Sequence, residues 1–271
     1  MSITVKEVGL ERAGALIAYL APYESKALFL LCNLKDQTLP FFIYEAWFKG
    51  QLVGVGAFYP AFASFALFSE LPKAARELAK SVMQAHSVEM VLGVEAVARP
   101  VCEEFFRQGK KLSGDPKRLF LELKKEDFKP FTVLDAKVRP FETKDLDAVA
   151  ILSRELDEFP FDGPVREEER IKTLASPLRS CLEIGGQVAS TACSNGLALT
   201  AFQILGVATA KEFRKRGYAR AVCSHLIGEL FAKGAQNAVL FTGRENAAAR
   251  KCYAHLGFRQ TGIFYMANFT Q

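Results

Sequence analysis

One stretch, residues 206–258, constrains this chain more than any other. It opens Gly206-Val207-Ala208-Thr209 and passes through Arg214-Lys215-Arg216-Gly217-Tyr218-Ala219. A helix-like run to Lys233-Gly234 follows, then an apolar run over 238–241. Asn246-Ala247-Ala248-Ala249-Arg250-Lys251-Cys252-Tyr253 comes next, closing at Leu256-Gly257-Phe258. The order is strand, basic glycine turn, helix, strand, short helix. Gly217 and the small Ala219 let backbone N–H groups approach a ligand closely. They stand where a helix begins, so several N–H groups lack intrahelical acceptors and the positive pole of the helix dipole faces them. Such a turn suits a phosphate or pyrophosphate, and Arg214, Lys215, Arg216 and Arg220 add charge for the same anion. Taken alone, the turn fits a solvated basic loop with a packing glycine equally well.

The stretch as a whole resembles the GNAT acetyltransferase superfamily in its two most informative motifs. The first, R/Q-x-x-G-x-G/A, is met by Arg214, Gly217 and Ala219. The second, N-x-x-A-x-x-x-Y-x-x-x-G-F, is met by Asn246, Ala249, Tyr253, Gly257 and Phe258. Both occur in the family's order with a strand between them, within roughly the last half of the chain. The resemblance implies an α/β fold with a twisted mixed sheet flanked by helices, and acetyl-CoA as cosubstrate without a metal. In the family, the strand before the glycine turn bulges and splays from its neighbour, and the pantetheine arm enters the gap like an added strand. That places pantetheine contacts at Val207, Ala208 and Thr209. It places the pyrophosphate beside Arg214, on the N–H groups of Lys215, Arg216, Gly217, Tyr218, Ala219 and Arg220. Asn246, with a carbonyl and an amide, is suited to holding the pantetheine arm.

The implied reaction is N-acetyl transfer: a neutral primary amine of a small molecule or peptide attacks the thioester carbonyl. Holding both reactants in one cleft supplies much of the rate. A strand N–H near Val207 is placed to stabilise the oxyanion, and Tyr253 is the candidate general acid for the leaving thiolate. Many relatives carry a glutamate base on the strand before the turn. Here residues 198–207 hold no acid, and Gln203 is the polar side chain near the middle. Water, Glu183, Asp157 and Glu158 stay open as the base. The missing acid also leaves open a non-catalytic acyl-CoA-binding regulatory module. A tandem-domain aminoacyl or peptidyl transferase with a larger acceptor is a third reading.

With 271 residues, 50% hydrophobic and 24% charged, the chain has room for two modest domains. A net charge of +5 suits a solvated surface and an anionic cofactor alike. It comes without the aromatic–basic interleaving of a single-strand binder, so nucleic acid is not an expected partner. Cys32, Cys102, Cys181, Cys193, Cys223 and Cys252 form no C-x-x-C pair, and His86, His225 and His255 lie far apart, so no metal site is expected. Free thiols suit a reducing compartment. The start lacks a signal-peptide pattern and no apolar run approaches a membrane span, so the expectation is a cytoplasmic protein off the membrane. A homodimer stays open.

Apolar spacing predicts strands over 5–8, 41–48, 52–58, 62–68, 88–93 and 119–124, and helices over 10–20, 22–34, 72–83 and 100–106. The charged run 124–136 with Pro130 reads as a linker between a domain over 1–128 and a domain over 136–271. The second half repeats the pattern: strand 137–141, helix 143–156 capped by Thr143 or Asp145, a loop over 158–164, helix 167–174, hairpin 179–194, and a long strand 197–209. Trp47-Phe48-Lys49-Gly50-Gln51-Leu52-Val53 matches Glu183-Ile184-Gly185-Gly186-Gln187-Val188-Ala189 in pattern, and 91–96 matches 240–246. This suggests a duplication whose first copy is degenerate. Before its helix stands Ser69-Glu70-Leu71-Pro72, without glycine and with an acid that repels phosphate. Tyr253 aligns near Glu103. One cofactor site is expected, in the second half.

Overall fold

The computed structural model describes residues 2–37, 40–154, 156, 164–174 and 178–270. By contact the chain forms two units. The first is Met1–Phe120 with Phe241–Glu245 and Gln260–Gln271; the second is Leu121–Leu240 with Asn246–Arg259. The elements of the first are β1 (Thr4–Val8), α1 (Ala13–Leu20), α2 (Glu24–Asp36), β2 (Phe42–Phe48), β3 (Gln51–Tyr59), β4 (Ser64–Ser69), α3 (Pro72–Ala85), β5 (Met90–Val94), α4 (Glu95–Arg107) and β6 (Lys111–Leu112). After β7 (Lys117–Lys124) the second unit holds β8 (Lys137–Pro140), α5 (Leu146–Arg154), α6 (Glu167–Leu174), β9 (Leu178–Ile184), β10 (Gln187–Leu197), β11 (Ala201–Thr209), α7 (Tyr218–Ala232), β12 (Asn237–Gly243) and α8 (Ala247–Leu256). The chain ends in β13 (Arg259–Thr270).

Each unit carries a mixed sheet flanked by helices, the α/β architecture expected. In the first, the order is β1-β2-β3-β4-β5-β13. Only β4 and β5 run parallel, with Ser64, Phe65 and Ala66 opposite Met90, Val91 and Leu92. In the second, β8-β9-β10-β11-β12 follow in order. Again only the fourth and fifth are parallel, with Ala201, Phe202 and Gln203 opposite Asn237, Ala238 and Val239. The duplicated segments occupy equivalent places. The β2–β3 hairpin turns on Lys49 (φ 51°) and Gly50 (φ 77°), and the β9–β10 hairpin on Gly185 (φ 55°) and Gly186 (φ 83°). Two successive positive φ angles match the twist of the flanking strands in a two-residue turn.

In the first unit, α3 and α4 bury Leu78, Val82, Val97, Val101 and Phe105 in one cluster with Phe65, Leu67 and Phe269. Phe269 reaches it because β13 pairs antiparallel with β5, Phe264 opposite Val94. Among the phenylalanines of the first unit, Phe58, Phe65 and Phe68 are core, while Phe42 and Phe62 are exposed. The helical run Leu10–Asp36 is long and apolar enough to cross a membrane by length and composition, contrary to the sequence expectation. It is not one continuous α-helix: Tyr23 and Ala27 leave helical geometry. Its Leu16, Leu20, Leu28 and Leu31 are buried in the first unit.

In the second unit, α7 packs against β9, β10 and β11, and α5 against β10 and β11. Val222, Leu226, Ile227 and Phe231 of α7 and Leu182 and Phe202 of the strands are buried.

Three sequence expectations shift. The strand predicted over 197–209 starts only at Ala201, because Leu197 ends β10 and the chain turns at 198–200, where the Ala198 N–H donates to the Ala201 carbonyl at 2.9 Å. The helix predicted from Pro100 starts at Glu95, leaving the proline inside it. The turn before α5 is capped by Glu142 rather than Thr143 or Asp145; Asp145 closes the reciprocal half of the capping box. Asp145 is also committed to Arg139, which donates to its two oxygens at 2.6 and 2.8 Å.

Candidate active site

The site is built on β11. Thr191 of β10 opposes Ala208, but Cys193 opposes Leu205. Two residues on β10 therefore span three on β11, which is a bulge. Gly206 sits in it at φ 57°, where a Cβ would meet the Cys193 Sγ at 2.8 Å. Beyond the bulge, Ser190 Oγ donates to the Ala208 carbonyl at 2.8 Å and shares a hydrogen bond with Thr209 Oγ1. On its other side, β11 pairs with β12 only through Gln203. The β12-facing edge of β11 thus stops pairing just where Ile204, Leu205, Gly206, Val207, Ala208 and Thr209 lead to the glycine turn.

That turn is cradled by alternating backbone. Lys215 has φ 65° and Gly217 φ 84°. Gly217 is the N-cap residue of α7 and makes no side-chain cap, so the first N–H groups of the helix receive no acceptor from it. Arg214 Nε donates to the Thr209 carbonyl at 3.0 Å and ties the turn to the end of β11. Arg216 lies over the Phe213 ring, its guanidinium carbon 5.8 Å from the centroid. Tyr218 turns its side chain inward: it is 2% exposed and its hydroxyl donates to Asp135 Oδ2 at 2.6 Å. The Asp135 carboxylate raises the Tyr218 pKa. Only the backbone of Tyr218 is left for a ligand.

The charged run 124–136, read as a linker, packs along α7. Phe128 meets Phe231 edge-on, and the Phe131 N–H donates to Ser224 Oγ at 2.8 Å. The Phe131 ring sits under the Arg220 guanidinium, 3.1 Å from its carbon. A Cβ on Gly217 would meet that ring at 3.3 Å. Phe128 and Phe131, three apart within a charged run, are the signal that this segment is docked.

Asn246 is the N-cap of α8: its Oδ1 accepts from the Ala249 N–H at 3.0 Å. The carbonyl is used by the helix, leaving the side-chain amide. Tyr253, two turns further on, is buried, its ring 5.8 Å from Phe258. Burial raises its pKa well above the ordinary phenol value, so it holds its proton. Gly257 closes α8 at φ 103°, with the Asp127 carbonyl against the place of a Cβ. Cys252 is pushed up to about 11 chiefly by burial, which keeps this thiol a poor nucleophile.

Of the open bases, Glu183 accepts from Arg139 Nε and Nη2 at 2.9 and 2.8 Å and is spent on that pair. Asp157 and Glu158 lie outside the described residues. Gln203 accepts from Asn195 Nδ2 at 3.2 Å, and His255 is exposed on α8. Sequence reasoning passed over Arg179 of β9, which is 8% exposed and whose Nη1 lies 4.0 Å from the place of a Gly206 Cβ. An arginine in a strand otherwise buried carries that signal. Among the described residues, no group of three or more His, Cys, Asp or Glu side chains stands together as metal ligands.

Residues 148–258, the segment that holds the bulge, the turn and α8, match the family described as Acetyltransferase (GNAT) family. This segment is a GNAT acetyltransferase domain. Solved structures share the fold over the whole chain. A tandem GNAT protein from the clavulanic acid biosynthesis pathway is 10% identical, with a TM-score of 0.63 over 99% of this chain and 98% of that one. A GNAT-family acetyltransferase of Colwellia psychrerythraea is 14% identical, with a TM-score of 0.62 over 98% and 100%. A Drosophila protein is 11% identical, with a TM-score of 0.72 over 97% and 98%. No curated protein matches the chain in sequence. The GNAT assignment supports acyl transfer with an acyl-CoA cosubstrate and agrees with a tandem architecture.

Proposed function

We propose that the second unit is an acetyl-CoA-dependent N-acetyltransferase acting on a primary amine of a small molecule or peptide. The observation that supports this most is the continuity of β11 with the glycine turn. An unpaired strand edge beyond Gln203 leads straight into a run of unsatisfied helix N–H groups. An extended pantetheine arm fits the edge at Val207, Ala208 and Thr209, as an added strand does. A pyrophosphate fits the N–H groups of residues 215–220, beside Arg214. The side-chain amide of Asn246 donates to the arm.

The thioester supplies an activated acyl group; the chain's own residues position it and handle protons. An N–H near Val207 faces the developing oxyanion. Tyr253 keeps its proton at neutral pH and donates it to the departing thiolate. The base is water or a residue beyond those described. In the first unit, Glu70 and Pro72 stand where the phosphate turn would be, so one cofactor site per chain is proposed. A cytoplasmic location is part of the same proposal.

A second reading, an acyl-CoA-binding regulatory module, is favoured by one observation: β11 carries no acid and Glu183 is held by Arg139. Thiol release from acetyl-CoA over an amine panel separates the two. Acceptor-dependent release supports the enzyme; tight binding with no turnover for any amine supports the module.

A further inference from the structure

Arg179 is a buried cation without a counter-anion. Its residue is 8% exposed. Its Nη1 donates to Thr191 Oγ1 at a long 3.3 Å, and its Nε is buried with no hydrogen-bond partner. Among the described residues, no carboxylate pairs with it; nearby Glu183 and Asp145 are both taken by Arg139. A guanidinium stays charged at any physiological pH, and burying it unpaired is costly. A fold that tolerates that cost at one arginine is holding it for something absent from the chain itself.

The position says what that is. Arg179 opposes Cys193 across β9 and β10, and Cys193 opposes Leu205 across β10 and β11. The three share one row of the sheet, and the row ends on the β11 bulge. Adjacent Ser180 points the other way, to His225 of α7 at 2.9 Å, so the Arg179 side chain lies on the face opposite α7. Thr191 engages Nη1 and leaves the Nε edge, with its two parallel donors, buried and unpartnered. That edge is the bidentate match of a carboxylate.

We infer that Arg179 is the counter-charge for a carboxylate on one of the two reactants. This rests on the proposed function, which puts the thioester beside the bulge. The carboxylate belongs either to the amine acceptor, as in an amino acid, or to the acyl group, as in a dicarboxylic acyl-CoA. Arg179 touches that group and selects for it.

The test uses the full chain, Arg179→Met and Arg179→Lys. Calorimetry compares acetyl-CoA with succinyl-CoA. Thiol release compares phenylalanine with phenethylamine, and 4-aminobutyrate with butylamine. On one arm, the carboxylated member is expected to be preferred by about ten- to a hundredfold, the value of a charge-assisted pair. The preference collapses to about one in Arg179→Met and is partly kept in Arg179→Lys, which has charge but no fork. Arg179→Met should melt no lower than the parent, since it removes an unpaired buried charge. Equal handling of both members on every arm, or a preference that survives in Arg179→Met, overturns the inference and leaves the acetyltransferase reading standing. If neither acyl-CoA binds, that reading fails instead. Arg179 is then judged by the thermal shift with succinate and with phenylalanine alone. A shift lost in Arg179→Met upholds the carboxylate site, and no shift refutes it.

Discussion

Replacing Gly217 by alanine perturbs the glycine turn with one added atom. Gly217 holds φ 84°, and the new Cβ would sit 3.3 Å from two carbons of the Phe131 ring. A non-glycine residue in the left-handed region costs about 1–2 kcal/mol. The ring contact is tighter than an ordinary packing distance, so Phe131 must give way, which disturbs its stacking with Arg220. Together these effects cost about 1–3 kcal/mol, since strained backbone positions fall in that range. The measurement is urea denaturation by circular dichroism for Gly217→Ala, Phe131→Ala and the double variant. In the Phe131→Ala background the steric part disappears and the backbone part stays. The alanine should then cost about 1–2 kcal/mol, and the two changes should couple. Gly217→Ala as stable as the parent would refute the strained-cap account. Strict additivity with Phe131→Ala would refute the contact.

Arg139→Met is expected to destabilise by about 3–5 kcal/mol in the same assay, because it strands the buried Asp145 carboxylate; a change under about 1 kcal/mol would show that Asp145 finds water instead. Glu169 is held down to about 2, first by its hydrogen bond from Arg154. Its folded pKa lies below the unfolded value of about 4.3, so its stabilisation is full above that value and fades as pH falls towards about 2. Arg154→Gln should therefore flatten the acid limb of the stability–pH curve, and an unchanged limb would count against the pair. Tyr253→Phe should lower turnover about 10²–10⁴-fold with acetyl-CoA affinity nearly unchanged. Parent-rate turnover in that variant would make Tyr253 a packing residue, and loss of binding would make it part of the cofactor pocket.

Much of this was legible in residue order. Strand, glycine turn, helix, strand and short helix follow from period and glycine placement, because each is decided within a few residues; that Asn246 caps the short helix emerges only from the structure. The hairpin turns at Lys49-Gly50 and Gly185-Gly186 are read the same way. Long-range pairing is not local. Nothing in residues 259–270 announces that Phe264 pairs with Val94, or that Phe269 fills the α3–α4 core. The docking of 128–135 on α7 was hidden by its charges, since two phenylalanines and one hydrogen-bonded aspartate decide it. Arg179 was silent for a different reason. A buried arginine reads like any surface charge until the strand around it is seen to be enclosed.

Isothermal calorimetry of acetyl-CoA on the full chain tests the central claim most directly, with Arg214→Glu/Lys215→Glu as the control. One site per chain is expected, weakened strongly in the control, because two like charges would then face the pyrophosphate. No binding, two equivalent sites per chain, or unchanged affinity in the control would contradict a single acyl-CoA site at the turn before α7.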